Sequence, residues 1–193
     1  MDKIRIAIFA SGNGSNAIRV IEYFRTHETI EVAVILSNKK NAGVLMRTKD
    51  ESIEQMIIDN EQAKDGEFLS SMMQQQDIRF VVLSGYLRMI PASFIHTYPK
   101  QIINIHPSLL PKYGGSGMYG INVHQAVKEA GEKESGITIH LVNEEYDKGE
   151  IIGQHSIELK AEDSIEEIQQ KVQSLEHKWF AQDIEKYIIQ KNA

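Results

Sequence analysis

Asn104 and His106 stand two residues apart in Ile102-Ile103-Asn104-Ile105-His106-Pro107-Ser108-Leu109-Leu110-Pro111, where two polar side chains interrupt a run of isoleucines. The β-branched residues predict a strand buried on both faces. Pro107, which brings no N–H to a sheet ladder, ends it. A strand places residues i and i+2 on one face, so a carboxamide and an imidazole project side by side from a buried strand end. The amide N–H2 suits a developing oxyanion, and the imidazole carries a proton near neutral pH. The same pair also serves as a loop anchor, because polar residues at strand ends satisfy stray backbone groups.

A second candidate lies near the N-terminus. Lys3 to Ala10 reads as a strand, Ser11-Gly12-Asn13-Gly14-Ser15-Asn16 follows it, and a helical pattern (Ala17, Ile18, Ile21, Phe24) comes next. Glycines let backbone N–H groups approach an anion at a helix N-terminus, where the dipole favours negative charge. Ser15 and Asn16 add side-chain donors. Gly12-x-Gly14-x-x-Ala17 also fits a relaxed dinucleotide fingerprint. That reading requires an acid after the second strand, to hold ribose hydroxyls. The second strand, Glu31 to Leu36, instead ends in Ser37-Asn38-Lys39-Lys40. A phosphomonoester is therefore the better ligand than a nicotinamide dinucleotide. A tight turn with no ligand explains the glycines as well.

The elements that must position these groups follow in order. A helix is expected across 44–49, a short strand or turn near Met56–Ile58, a helix over 67–76 and a buried strand over 79–83. The apolar stretch Gly85-Tyr86-Leu87-Arg88-Met89-Ile90-Pro91 follows, either as a wall for a flat heterocycle or as a core cap with a solvated Arg88. A short helix over 92–98 leads into the Ile102 strand. The Lys112–Gly120 loop holds four glycines between Gly114 and Gly120, which suggests mobility and a lid or a long surface loop. A helix over 123–130, strands over 136–142 and 151–159, and a final helix from Asp163 or Ser164 to about Gln190 complete the chain. On the final helix Ile165, Ile168, Val172, Leu175, Trp179, Ile184 and Ile188 form the apolar side. His140, which alternates with Ile139 and Leu141, reads as a hydrogen-bonded structural histidine. Early strands alternate with helices, so they should be parallel. The last two strands are too close in sequence for a crossover and should pair antiparallel. The fold class expected is α/β: a single-domain Rossmann-like, doubly wound mixed sheet over residues 1–193, with a long C-terminal helix. The Gly loop, the Tyr86–Pro91 loop and the Asn104/His106 strand end all fall at the carboxyl ends of strands, where such sheets bind ligands.

Composition excludes several classes. The 193 residues carry a formal net charge of -6, which disfavours non-specific nucleic-acid binding. No cysteine is present, so disulfide and thiol chemistry are excluded and a reducing compartment is expected. Met1-Asp2-Lys3-Ile4-Arg5 shows no signal-peptide pattern, and no apolar run approaches the ~18 residues needed to span a bilayer. A cytoplasmic protein acting on small molecules, with no membrane or nucleic-acid partner, is expected.

Ser11-Gly12-Asn13-Gly14-Ser15-Asn16, Gly85-Tyr86-Leu87-Arg88, the Asn104–Tyr113 string and Asp147-Lys148-Gly149 resemble, in order and over nearly the whole chain, the folate-dependent formyltransferases. The resemblance implies transfer of a formyl group from 10-formyltetrahydrofolate, as cosubstrate, to the amine of glycinamide ribonucleotide in purine synthesis, with no metal. It implies that Asn104 stabilises the tetrahedral oxyanion, that His106 assists it or shuttles the proton, and that Asp147 holds His106 in its working protonation state. It places the substrate phosphate at Asn13, Gly14, Ser15 and Asn16, with Gln173 and Glu176 on the ribonucleotide. It places the pterin at Leu87, Arg88, Met89 and Ile90, with Asn104 and the backbone of Glu144, Glu145 and Tyr146. Family members occur as monomers and homodimers. Hydrolase members carry an extra N-terminal domain and tRNA-acting members an extra C-terminal one, neither expected here. A non-catalytic folate- or nucleotide-binding module is the alternative of a different class. Two departures stand out: Gly114–Gly120 replaces a shorter Pro-Gly turn followed by a histidine, and Lys64-Asp65-Gly66 stands where an arginine near the folate tail is common.

Overall fold

In the computed structural model, which describes residues 2–192, the chain divides after Asn104 into two compact units. The first is built on five strands: β1 (Ile4–Phe9), β2 (Ile30–Ser37), β3 (Glu54–Ile57), β4 (Ile78–Leu83) and β5 (Ile102–His106). The unit boundary falls inside β5. The five lie in the order β3-β2-β1-β4-β5, and every neighbouring pair is parallel. This is the doubly wound order, with the reversal between β1 and β4 where such sheets open a ligand crevice.

The physical reason is the apolar content of the central strands. Ile6, Ala7, Ile8 and Phe9 of β1 are fully buried, as a strand covered on both faces requires. Helices α1 (Ser15–Phe24), α2 (Gly43–Arg47), α3 (Gly66–Gln75) and α4 (Ala92–Thr97) complete this unit. α1 buries Ala17, Val20, Ile21 and Phe24, a 3.6-residue stripe. Phe9 stacks on Phe94 at 6.1 Å and meets Tyr86 edge-on at 5.4 Å, so the core reaches the base of the Tyr86–Pro91 loop. The uncertain stretch near Met56–Ile58 is strand β3, paired with β2 from Glu54 to Ile57. Three of its four residues are exposed, so it carries little of the apolar signal by which a strand is read.

The second unit contains α5 (Ile121–Glu129), β6 (Glu134–Leu141), β7 (Ile151–Glu158) and α6 (Ile165–Asn192). β6 and β7 pair antiparallel from Glu134↔Glu158 to His140↔Ile151, as their short connection demands. α6 opens on a capping box. The Glu167 N–H donates to Ser164 Oγ at 3.1 Å, and the Ser164 N–H donates to Glu167 Oε2 at 2.7 Å. Ile168, Val172, Ile184 and Ile188 are buried as the spacing predicts, while Ile165, Leu175 and Trp179 are only partly covered. Trp179 lies flat on His155 of β7 at 4.4 Å, and His155 pairs with Asp183 at 2.7 Å. None of the described helices is long and apolar enough to cross a membrane.

Candidate active site

The loop after β1 is shaped by one glycine. Gly14 has φ +74°, a left-handed conformation, and a Cβ there would lie 2.6 Å from the Val44 side chain. Only glycine meets both conditions. α2 is thereby pressed against the loop: the Val44 N–H donates to Gly12 O at 3.1 Å, and Arg47 Nη1 donates to Asn13 O at 3.2 Å. Asn13 is exposed, while Gly14, Ser15 and Asn16 are half-buried at the start of α1. Arg47 brings a positive charge beside a segment that has none of its own between Ser11 and Asn16.

Ser11 joins this loop to the one after β4. Its buried hydroxyl donates to Asn38 Oδ1 at 2.7 Å and accepts the Leu87 N–H at 3.0 Å. Leu87 and Met89 remain exposed while Ile90 is buried. Arg88 donates to Asn60 Oδ1, so its fork is held rather than free to sweep solvent. Burial pushes the Tyr86 phenol up to about 12, opposed in part by the Arg88 charge. Asn104 is half-buried on β5, beside Leu83 of β4.

In the second unit the His106 ring is buried and held at both nitrogens. Its Nε2 lies 2.7 Å from Tyr113 O, and its Nδ1 lies 3.5 Å from Asp147 Oδ2. Asp147 also takes the Gly115 N–H on Oδ2 at 2.8 Å and faces His140 Nε2 from Oδ1 at 3.6 Å. The turn after β5 is stitched down by Thr138, which donates to Ser108 O at 2.7 Å and accepts the Leu110 N–H at 3.0 Å. Gln154 Nε2 adds a bond to Leu110 O at 3.0 Å.

The electrostatics differ in one respect from what an imidazole–carboxylate pair suggests. Burial is the largest influence on His106 and lowers its pKa below the ordinary histidine range. The Asp147 charge and the Tyr113 carbonyl oppose this without overcoming it. Burial raises Asp147, but its pairing with His140, the Gly115 N–H and the two nearby imidazoles together hold it below the usual carboxylate range. His124 on α5 is buried, lies near enough to His106 to feel its charge, and is also lowered, chiefly by burial.

An acid-stability prediction follows. The folded pKa of both His106 and His124 lies below the ordinary value of about 6.5, so the unfolded chain binds protons first as pH falls. Stability is therefore expected to drop as pH falls below about 6.5, until the folded values are reached. Asp147 acts only below the carboxylate range and does not contribute in that window. Thermal unfolding between neutral and mildly acidic pH checks this, and His124→Gln should flatten the decline.

The Asp147 loop is clamped onto β6. A Cβ on Gly149 would lie 1.6 Å from Leu141 O and 3.5 Å from His140 Nδ1. Gly149→Ala is therefore expected to destabilise the protein by about 1–3 kcal/mol, the usual cost of overpacking. It should also shift Asp147, two residues away. A lowered Tm together with reduced turnover is the expected result.

The remaining sequence candidates are placed as follows. Gln173 and Glu176 are half-buried and three apart on α6, so they share a helix face. Glu144, Glu145 and Tyr146 are exposed. Lys64 is exposed and pairs with Glu61 at 2.8 Å. The Lys112–Gly120 loop is tied at Gly115 to Asp147 and closes a turn from Met118 N to Gly115 O at 3.1 Å. Sequence reasoning passed over Ser11, Asn38, Asn60 and Arg47. Serine and asparagine after a parallel strand are a weak signal, and Arg47 sits on a five-residue helix. It also gave His140 no part beside Asp147, because strand alternation does not reveal which loop will close over a strand end.

Residues 4–184 match the formyl transferase family. The chain is 37% identical over 184 residues to the chloroplastic phosphoribosylglycinamide formyltransferase of Arabidopsis thaliana, covering 92% of this chain but only 63% of the plant protein. It is 34% identical to the Bacillus subtilis phosphoribosylglycinamide formyltransferase, covering 91% of this chain and 90% of that protein. The crystal structure of the Bacillus halodurans phosphoribosylglycinamide formyltransferase superposes with a TM-score of 0.85 at 33% identity, covering 94% of each chain. The chain belongs to the formyl transferase family, among the phosphoribosylglycinamide formyltransferases.

Proposed function

We propose that this chain transfers a formyl group from 10-formyltetrahydrofolate to the amine of glycinamide ribonucleotide, as a cytoplasmic enzyme in which residues 1–193 act as one formyltransferase domain. The observation that carries the mechanism is the end of β5: Asn104 and His106 are two residues apart on one strand, and His106 is backed by a half-buried carboxylate at 3.5 Å.

The reaction needs orientation, oxyanion stabilisation and the movement of one proton. The amine nitrogen attacks the formyl carbon, a C–N bond forms, and the carbonyl oxygen becomes an oxyanion that accepts the Asn104 amide N–H. The amine proton passes through water to the His106–Asp147 pair. It is returned to N10 of the folate as the bond from N10 to the formyl carbon breaks. Formylated ribonucleotide and tetrahydrofolate leave with no net proton change. A lowered His106 pKa suits this, because a neutral imidazole and an ionised carboxylate accept a proton at neutral pH.

Asn13, Gly14, Ser15 and Asn16 hold the phosphate through backbone and side-chain donors at the start of α1, with Gln173 and Glu176 on the ribonucleotide. Leu87, Arg88, Met89 and Ile90 hold the pterin, aided by Asn104 and the Glu144–Tyr146 backbone. The exposed Leu87 and Met89 suit a flat ring. The test is optical loss of 10-formyl folate with and without glycinamide ribonucleotide. Loss that requires the ribonucleotide and yields its formyl derivative supports the reading. Formate release without the ribonucleotide, or no loss in either tube, rejects it.

A further inference from the structure

Tyr113 stands in a backbone conformation that its side chain disfavours. In the unit that begins at Ile105, Tyr113 and Asp147 are the described residues other than glycine with positive φ, at +56° and +55°. Aspartate visits the left-handed region readily. A bulky tyrosine does not, and it persists there only where its surroundings over-determine it. The same two residues flank the His106 ring. Tyr113 O lies 2.7 Å from Nε2, and Asp147 Oδ2 lies 3.5 Å from Nδ1. A carbonyl oxygen only accepts, so Nε2 carries the ring hydrogen that faces Tyr113.

The strained residue is gripped from outside the ring slot. The Tyr113 hydroxyl donates to Glu132 Oε1 at 2.9 Å, and Lys112 Nζ donates to the same oxygen at 2.8 Å. Glu132 lies in the link from α5 to β6, 19 residues along the chain from Tyr113. The main chain before Tyr113 is fixed as well. Ser108 Oγ donates to Lys112 O at 2.7 Å, and the Lys112 N–H donates to Leu109 O at 3.2 Å. The bonds from Lys112 and Tyr113, that of Lys112 foremost, hold the Glu132 carboxyl below the usual carboxylate range. It is therefore an ionised acceptor at neutral pH. Neither side chain is among the groups assigned to substrate or to proton transfer.

We propose that Glu132 and the Tyr113 side chain are positioning residues for His106: by gripping the Tyr113 hydroxyl, Glu132 holds the strained backbone so that the Tyr113 carbonyl fixes the plane of the His106 ring and keeps its hydrogen on Nε2. His106 then meets the proton of the amine in one orientation and one tautomer. The carbonyl also favours the protonated ring, whose N–H is the stronger donor, and so opposes part of the lowering that burial imposes. The titratable groups that share the surroundings of the ring are Asp147, His140 and His124 of α5. None of them is altered in the variants below.

The proposal rests on the formyl-transfer reading, so one arm of its test needs no turnover. Ring nitrogen chemical shifts of the free protein report which nitrogen of His106 carries hydrogen. The Nε2–H form with a slowly exchanging ring N–H is expected in the wild type at neutral pH. Tyr113→Phe and Glu132→Ala are expected to bring that N–H into fast exchange and to lower the His106 midpoint. One neutral hydrogen bond is worth about two- to tenfold in an equilibrium constant, so the fall is about 0.3–1 unit. A neutral His106 ring with its hydrogen on Nδ1, or an N–H and midpoint that neither variant moves, overturns the proposal whether or not formyl transfer is observed.

In the second arm, kcat is measured against pH. Tyr113→Phe and Glu132→Ala are each expected to lower kcat by about two- to tenfold, to move its acidic limb to lower pH and to leave KM unchanged for both substrates. Glu132→Gln, whose amide oxygen still accepts the Tyr113 hydroxyl, is expected to restore most of the wild-type profile. The Tyr113→Phe, Glu132→Ala double variant is expected to be no worse than Glu132→Ala, because the two groups form one link. Additive losses, or an unshifted acidic limb in folded variants, mark the link as merely structural and overturn the proposal. Tyr113→Phe keeps the ring and removes only the hydroxyl, so it decides where Glu132→Ala fails to fold.

Discussion

Asn104→Ala is expected to lower kcat by about 100–1,000-fold, the usual cost of deleting one oxyanion-hole donor, while the protein stays folded. Asn104 is half-buried and lies on a strand whose other side chains, Ile102, Ile103, Ile105 and His106, are buried. Truncating it removes the one side chain of the strand that is not fully buried. The backbone ladder to Leu83 does not depend on it. The oxyanion exists only in the tetrahedral state, so the loss should fall on kcat, with KM for the folate changed far less. Thermal unfolding and steady-state kinetics on the same preparation separate the two effects. Turnover close to wild type would remove Asn104 from the mechanism.

His106→Ala is expected to cost about 100–10,000-fold in kcat, the range for a positioned acid–base group, and to lower stability as well. The ring occupies a buried slot between Tyr113 O and Asp147. Its removal takes from Tyr113 O its partner, at about 1–3 kcal/mol for a buried unsatisfied group. His106→Asn keeps a donor in the slot and should recover much of the stability but little of the activity. If the two effects do not separate in this way, His106 is an anchor and not a relay. The Asn104→Ala, His106→Ala double variant should lose less than the product of the single losses, because both groups serve one transition state.

The elements of this fold were readable because each obeys its own period. The isoleucine runs of β1 and β5 and the 3.6-residue stripe of α1 declare themselves without neighbours. So does the short link between β6 and β7, which has no room for a crossover. β3 was nearly missed because its exposed residues carry no burial signal. The start of α6 was legible because Ser164 and the acids of its first turn mark it locally.

The chemistry divides along the same line. The sequence alone determined that a carboxamide and an imidazole leave one strand end together, because strand period is a local property, and that a glycine loop leads from the first strand into a helix. It also carried the family motifs in order. Tertiary structure alone decided which groups surround the imidazole. Gly115 and Asp147 are 32 residues apart yet 2.8 Å from each other, and no local rule predicts which loop closes on which strand end. It also decided that burial outweighs the Asp147 charge at His106, since desolvation depends on everything packed around the ring. And it set His140, hydrogen-bonded as its strand position suggests, beside the same carboxylate, because a side chain's partners are set by the fold and not by its place in the chain.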